Sequence, residues 1–167
     1  MYLLKTFKKN ITSVTLCLCV KTSRIMTIKQ LSIFIENRSG ALLRILEMLR
    51  DNGINIVVST LGDTDGFGIY RLICNDTEKA FKMLRDKNIS ATISNVYAIR
   101  LPDNKPGAAA EVVAKITKSG VDIKYMYSFM FGGHGIVVFR ADNNDKAEEV
   151  MMLEKLDYIT ETELKDA

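Results

Sequence analysis

Apolar and polar positions alternate along the chain with two different periods. Leu31, Ile33 and Ile35 fall at every second position, on one face of a strand predicted over Gln30–Glu36. Leu42, Ile45, Leu46 and Leu49 recur at i, i+3, i+4 and i+7, one face of a helix running to about Asn52. Ser39 stands where an N-cap belongs, and Gly53 supplies a left-handed residue to end the helix. Ile54–Leu61 alternates again, Asp63-Thr64-Asp65-Gly66 has hairpin-turn chemistry, and Phe67–Ile73 reads as the returning strand. Asp76 or Thr77 caps a second helix to about Lys87, with Ala80, Met83 and Leu84 on one side. Ile89–Ile93 is a short last strand, and Val96–Leu101 begins the series anew.

The pattern is written twice. At an offset of 67 residues Gly40 falls on Gly107, Gly53 on Gly120 and Gly68 on Gly135. The helical face Leu42, Ile45, Leu46, Leu49 falls on Ala109, Val112, Val113, Ile116, and Ala80, Met83, Leu84 fall on Ala147, Val150, Met151. Gly132-Gly133-His134-Gly135 is the second hairpin turn. Each unit is βαββαβ, which predicts an α+β fold of two ferredoxin-like units with antiparallel sheets and helices on one face. A unit of about 70 residues is small for an independent core. The two sheets are therefore expected to join or pack within the chain.

Composition narrows the function classes. With 167 residues, 47% apolar and 26% charged, the chain has material for a core, and wholesale disorder is excluded. The net charge of +3 misleads, because residues 1–25 carry five basic and no acidic side chains, which leaves the remainder at −2. That balance opposes nucleic acid as a partner. No apolar run reaches membrane-helix length, so no membrane partner is expected. Periodicity begins only at Met26. Residues 1–25 read as an extension upstream of a start there, with a poor outline of a secretory signal: lysines, an interrupted apolar run over Ile11–Val20, and no small-residue cleavage site. The division is then 1–25, 26–94 and 95–167.

Candidate chemistry is sparse. Three cysteines form no disulfide framework, Cys17 and Cys19 lack further metal ligands, and Cys74 reads as a small buried side chain. His134, the lone histidine, reads as inert, and Tyr125-Met126-Tyr127 and Met151-Met152 as core or interface filler. No nucleophile–base pair, phosphate loop or zinc spacing is present. No enzyme activity, cofactor or metal is expected.

Ile33-Phe34-Ile35-Glu36-Asn37-Arg38-Ser39-Gly40-Ala41-Leu42, followed by Asn52-Gly53-Ile54-Asn55-Ile56, resembles the ACT domain, a small regulatory module that binds amino acids. Asp103-Asn104-Lys105-Pro106-Gly107-Ala108 and Ser119-Gly120-Val121-Asp122-Ile123 repeat it in the second unit. The resemblance spans about residues 28–163 and extends to the small subunit of acetolactate synthase and the regulatory domain of phosphoglycerate dehydrogenase. It implies that modules set their second strands side by side, with an amino acid held between the first loop of one and the second strand of the other. One site then joins Asn37, Arg38, Ser39, Gly40, Ala41 and Leu42 to Asp122. The other joins Asn104, Lys105, Pro106, Gly107, Ala108 and Ala109 to Asn55. A helix N-terminus after a glycine loop suits a carboxylate, and Asn both donates and accepts where Asp only accepts. Ile35 stands where serine-binding members carry His. The second unit has one extra loop residue, and Ala109 in place of Leu42. The resemblance further implies a cytoplasmic homodimer that binds an amino-acid effector and regulates an amino-acid biosynthetic enzyme.

Two other readings compete. An RNA-recognition motif has the same element order, and Phe34 and Phe67 fall at its stacking positions, although Asp65 and Ile69 break its signature. The other is a ligand-free protein-interaction module, a duplicated sheet that dimerises and binds a partner enzyme with no small molecule. Asn37 and Asn104 also suit plain turn shaping.

Overall fold

The alternating segments pair into one continuous sheet. A computed structural model describes residues 26–64 and 66–165, so the N-terminal extension with Cys17 and Cys19 lies outside the described residues. The first unit comprises β1 (Thr27–Glu36), α1 (Ala41–Asp51), β2 (Ile56–Thr64), β3 (Phe67–Cys74), α2 (Thr77–Asp86) and β4 (Ala91–Arg100). The second comprises α3 (Ala108–Lys118), β5 (Ile123–Phe131), β6 (His134–Ala141), α4 (Asn144–Leu153), β7 (Tyr158–Ile159) and the short α5 (Glu161–Lys165). The strand order is β2-β3-β1-β4-β6-β5, with β7 also paired to β4, seven strands in all. All pairs are antiparallel.

The segments Ile89–Ile93 and Val96–Leu101, expected as two strands, are one. β4 pairs with β1 through Ala91–Tyr97 and with β6 through Tyr97–Arg100. It is thus the last strand of the first unit and the first of the second. Nothing between Ile93 and Val96 breaks the chain, for Ser94 and Asn95 carry no turn of their own and pair with Gln30 and Lys29. The boundary between residues 94 and 95 falls inside this shared strand.

Both helix pairs cover the same face. Odd-numbered residues of β4 supply both cores: Ala91 and Ile93 pack with Leu31, Ile33, Ile45, Leu49, Ala80 and Leu84 of the first unit, while Tyr97 and Ile99 pack with Val112, Ile116, Val150 and Met151 of the second. Burying one such side chain contributes about 1.5–3 kcal/mol. The predicted helical faces are the buried ones, although α3 turns Ala108 inward along with Val112 and Ile116.

Ser39 is not the cap of α1. Gly40 holds that place with φ 83°, without a side-chain cap, and Gly107 does the same before α3 with φ 100°. A left-handed residue immediately before a helix favours glycine because it lacks Cβ. Gly53 ends α1 with φ 66° as expected. Asp76 caps α2 by accepting from the Lys79 N–H at 3.0 Å.

The opposite face curls upon itself. Ile28, Ile73, Val96, Ala98, Ile136, Val138 and Ile159 form a third core, against which Tyr125, Tyr127, Phe129 and Phe131 of β5 pack. Fully buried Gln30 on β1 donates to the Tyr125 hydroxyl at 2.6 Å and accepts from the Tyr127 hydroxyl at 2.9 Å. The Arg71 guanidinium lies 4.3 Å from the Tyr125 ring centroid, a cation–π contact in the contact zone between the units. Leu164 of α5 adds a fully buried side chain to the same core.

Candidate functional site

Each first loop is fastened to its own unit's hairpin. Asn37 donates to the Asp63 carboxylate at 2.6 Å. Asn104 donates to the Gly133 carbonyl and accepts from the Gly135 N–H, both at 3.1 Å. Both asparagines therefore shape the loop. Gly135 is held so close that a Cβ there would stand 3.0 Å from Leu101 Cδ1. Within the loops, Arg38 pairs with Glu36 at 2.6 Å and Lys105 with Asp103 at 3.2 Å. Ala41 N donates to Arg38 O, and Ala108 N to Lys105 O. The two loops are built alike despite Pro106 in place of Ser39. Beyond these turns the first-turn N–H groups of α1 and α3 lack intrahelical partners and favour an anion.

Asn55 and Asp122 stand at the starts of β2 and β5, and both are exposed. Asn75 and Asp142 hold them there. The Asn55 N–H donates to the Asn75 side chain at 3.0 Å and the Asp122 N–H to the Asp142 carboxylate at 2.9 Å. The return bonds run from Asn75 N and Asp142 N to the Asn55 and Asp122 carbonyls. Backbone N–H groups that donate to the Asp142 carboxylate, that of Asp122 foremost, hold it below its ordinary pKa of 3.8. Sequence reasoning missed both anchors; their 67-residue spacing was the signal available.

The two second strands do not lie side by side within one chain. β2 and β5 are the opposite edges of the sheet. The first unit's last strand doubles as the second unit's first, so the units join through their centres and each second strand is pushed outward. Loop 37–42 and Asp122 therefore share an end of the sheet but not an edge. The same holds for loop 104–109 and Asn55. The expected seam inside the chain is not formed.

Both edges are long and lightly guarded. β5 has nine residues with one charge and no proline, and Met126 and Met130 on it are 42% and 64% exposed. β2 also has nine residues, with Asp63 its one charge and Leu61 52% exposed. Soluble proteins ordinarily blunt such edges with charge, proline or cover.

Two hollows open beside the loops at the same place in each unit. That of the first, about 260 Å³, lies between the end of β1, the first turns of α1 and the turn after α2. That of the second, about 230 Å³, lies between the end of β4, α3 and the turn after α4. Phe34, Arg44, Ile45, Asn88, Ile89 and Ser90 of one are replaced by Leu101, Glu111, Val112, Lys155, Leu156 and Asp157 of the other. Asn88 and Lys155 are the non-glycine residues with positive φ among the described ones, at 56° and 50°. His134 lines the second hollow.

Phe34 and Phe67 lie on the opposite face with ring centroids 6.2 Å apart, 37% and 42% exposed. Beside them Arg71 lies over the Tyr125 ring, so β5 of the second unit packs on part of that face. Cys74 is fully buried, as expected. Met151 is core, whereas Met152 is 59% exposed. No group of three or more metal-ligating side chains occurs among the described residues, nor is any helix there long and apolar enough to cross a membrane.

The sequence profile of the ACT domain pair matches residues 26–167, all of both units. The chain belongs to the ACT domain pair family. ACT pairs are regulatory modules. This ACT pair is similar to protein BT0572 from Bacteroides thetaiotaomicron, with 39% identity over 85% of this chain and 98% of that one, at a TM-score of 0.78. Its fold is shared with the regulatory subunits of aspartate kinase from Thermus thermophilus (TM-score 0.56, 13% identity, 77% of this chain and 92% of that one) and Thermus flavus (0.54, 15%, 77% and 92%). No curated protein matches the chain.

Proposed function

We propose that this ACT pair is a non-catalytic cytoplasmic regulator that binds a free amino acid where two copies meet, and thereby modulates an enzyme of amino-acid biosynthesis. An acetolactate-synthase-like enzyme is the first candidate partner. The observation that carries this reading is the pair of bare edges, β2 and β5. The β2–β3 hairpin lies beside loop 37–42, through Asn37 and Asp63. Antiparallel pairing of β2 with β5 of a second copy therefore sets Asn37–Leu42 beside Asp122 of that copy. The same pairing sets Asn104–Ala109 beside Asn55 of the other copy. Main-chain hydrogen bonds along the edges supply affinity. The amino-acid carboxylate meets the helix N-terminus, and its ammonium meets Asn55 or Asp122. The two sites differ in affinity, since Asp122 brings a full charge and Asn55 does not.

Ligand that favours the paired state shifts the dimer equilibrium and the surface offered to the enzyme. The test is thermal melting and sedimentation of the protein with each of the twenty amino acids. One or two should raise the melting temperature and the dimer fraction together. At a hundredfold excess over Kd the gain is about 2.7 kcal/mol. Asn37→Ala with Asn55→Ala should abolish the response, and Met130→Lys should yield a monomer that has lost it. A dimer indifferent to all twenty at millimolar concentration refutes amino-acid sensing.

A further inference from the structure

The two hollows match in position and differ in charge. In the second, two of the three basic side chains are engaged: Arg100 holds Asp157 at 2.9 Å and Glu163 at 2.7 Å, and Lys115 lies 3.8 Å from Glu154, while Lys155 enters no ion pair among the described residues. Glu111 adds a further carboxylate to that lining. In the first, Arg44 stands where Glu111 stands in the second, and Ser90 where Asp157 does. Its one carboxylate, Glu36, is taken by Arg38 at 2.6 Å. Arg44 and Lys87 take part in no ion pair among the described residues. Beneath this cationic rim the floor is apolar, made by buried Ile35 and Ile45 and half-buried Ile89.

We propose that the first hollow binds a small apolar carboxylic acid that carries no ammonium group. Its carboxylate lies between Arg44 and Lys87, and its hydrocarbon tail lies on Ile35, Ile45 and Ile89. A zwitterion is disfavoured because its ammonium meets a lining of net +2 with the only acid spent. A bare inorganic anion leaves the apolar floor wet. The volume of about 260 Å³ falls just below the range of about 300–1,000 Å³ that holds drug-sized ligands. It suits an acid of about four to six carbons. The site shares Arg38 and Ala41 with loop 37–42, but it lies within one unit and requires no second copy, so it does not depend on pairing at the edge-strand seam. The second hollow, with Arg100 and Lys115 paired and the carboxylate of Glu111 set against the charge of Lys155, does not bind the same acid.

The test is calorimetric titration of the full chain with 4-methyl-2-oxopentanoate as the probe, with 4-methylpentanamide and inorganic phosphate as controls. The acid should bind, with affinity falling as salt rises, and both controls should fail. Arg44→Gln with Lys87→Gln should weaken binding tenfold or more, with circular dichroism unchanged because both side chains are exposed. Lys115→Gln in the second hollow should leave binding intact. Met130→Lys should also leave it intact, which separates this site from the seam. No heat at millimolar acid, equal binding of the amide or of phosphate, or an unaltered affinity in the double variant overturns the proposal.

Discussion

Gln30→Leu tests whether the closed opposite face holds the two units together. Gln30 has no exposed surface, and its amide satisfies three groups. It donates to the Tyr125 hydroxyl at 2.6 Å and the Ser32 hydroxyl at 3.3 Å, and it accepts from the Tyr127 hydroxyl at 2.9 Å. Leucine fills similar space and satisfies none of them. Tyr127 is half-buried, and burial pushes its phenol pKa above the ordinary value of 10, the nearby Tyr125 adding to the rise. A buried donor or acceptor left unpaired costs about 1–3 kcal/mol. With two tyrosines affected, and part of the loss returned by the more apolar leucine, the net cost is about 2–4 kcal/mol. Urea unfolding should show a lower midpoint at unchanged slope, and the melting temperature should fall by about 2–4 °C per kcal/mol. Removing the stranded hydroxyls as well, with Tyr125→Phe and Tyr127→Phe, should restore stability to within about 1 kcal/mol, since replacing both partners by apolar groups is nearly neutral. A loss below about 0.5 kcal/mol for Gln30→Leu, or no recovery in the triple variant, refutes the bond network as the link between the halves.

Three further outcomes are open to measurement. Gly107→Ala should cost about 1–2 kcal/mol in chemical denaturation; the whole effect comes from φ 100°, because an added Cβ meets nothing within 4 Å. Lys155→Gly should stabilise by about 0.5–1 kcal/mol, the relief of a left-handed lysine at φ 50° exceeding the entropy cost of glycine. Asp142 has a folded pKa below its unfolded value of 3.8, so the stability it contributes is complete above the unfolded value and is lost as pH falls through the folded one. Acid titration of stability should therefore be shallower in Asp142→Asn, whose side-chain oxygen still accepts the Asp122 N–H, and parallel curves would refute the assignment.

Much of the fold was legible because its signals are local. The i, i+3, i+4, i+7 spacing of Leu42, Ile45, Leu46 and Leu49 fixed which side of α1 faces inward. Gly53 and Gly120 marked left-handed helix ends, with φ 66° and 73°. The offset of 67 residues exposed the duplication, and with it the equivalence of the loops at Asn37 and Asn104. The cap at Ser39 was misplaced because serine and glycine both suit the end of a loop; the left-handed backbone chose the glycine. The anchoring role of Asn75 and Asp142 was missed because a lone Asn or Asp after a strand reads first as a turn residue.

The sequence alone determined the elements, their twofold repetition and the helix faces, since periodicity and backbone preference are properties of neighbouring residues. It did not determine that the first unit's last strand continues as the second unit's first. Strand pairing is decided between distant residues, and an alternating segment such as 91–100 suits several neighbours equally. From that one pairing follow the positions of β2 and β5 at opposite edges and the closure of the opposite face by Tyr125 and Tyr127. The different charge of the two hollows likewise belongs to the tertiary structure. Arg44 and Lys87 are 43 residues apart in the chain, and only the packing of α1 beside the turn after α2 turns two ordinary surface cations into one rim.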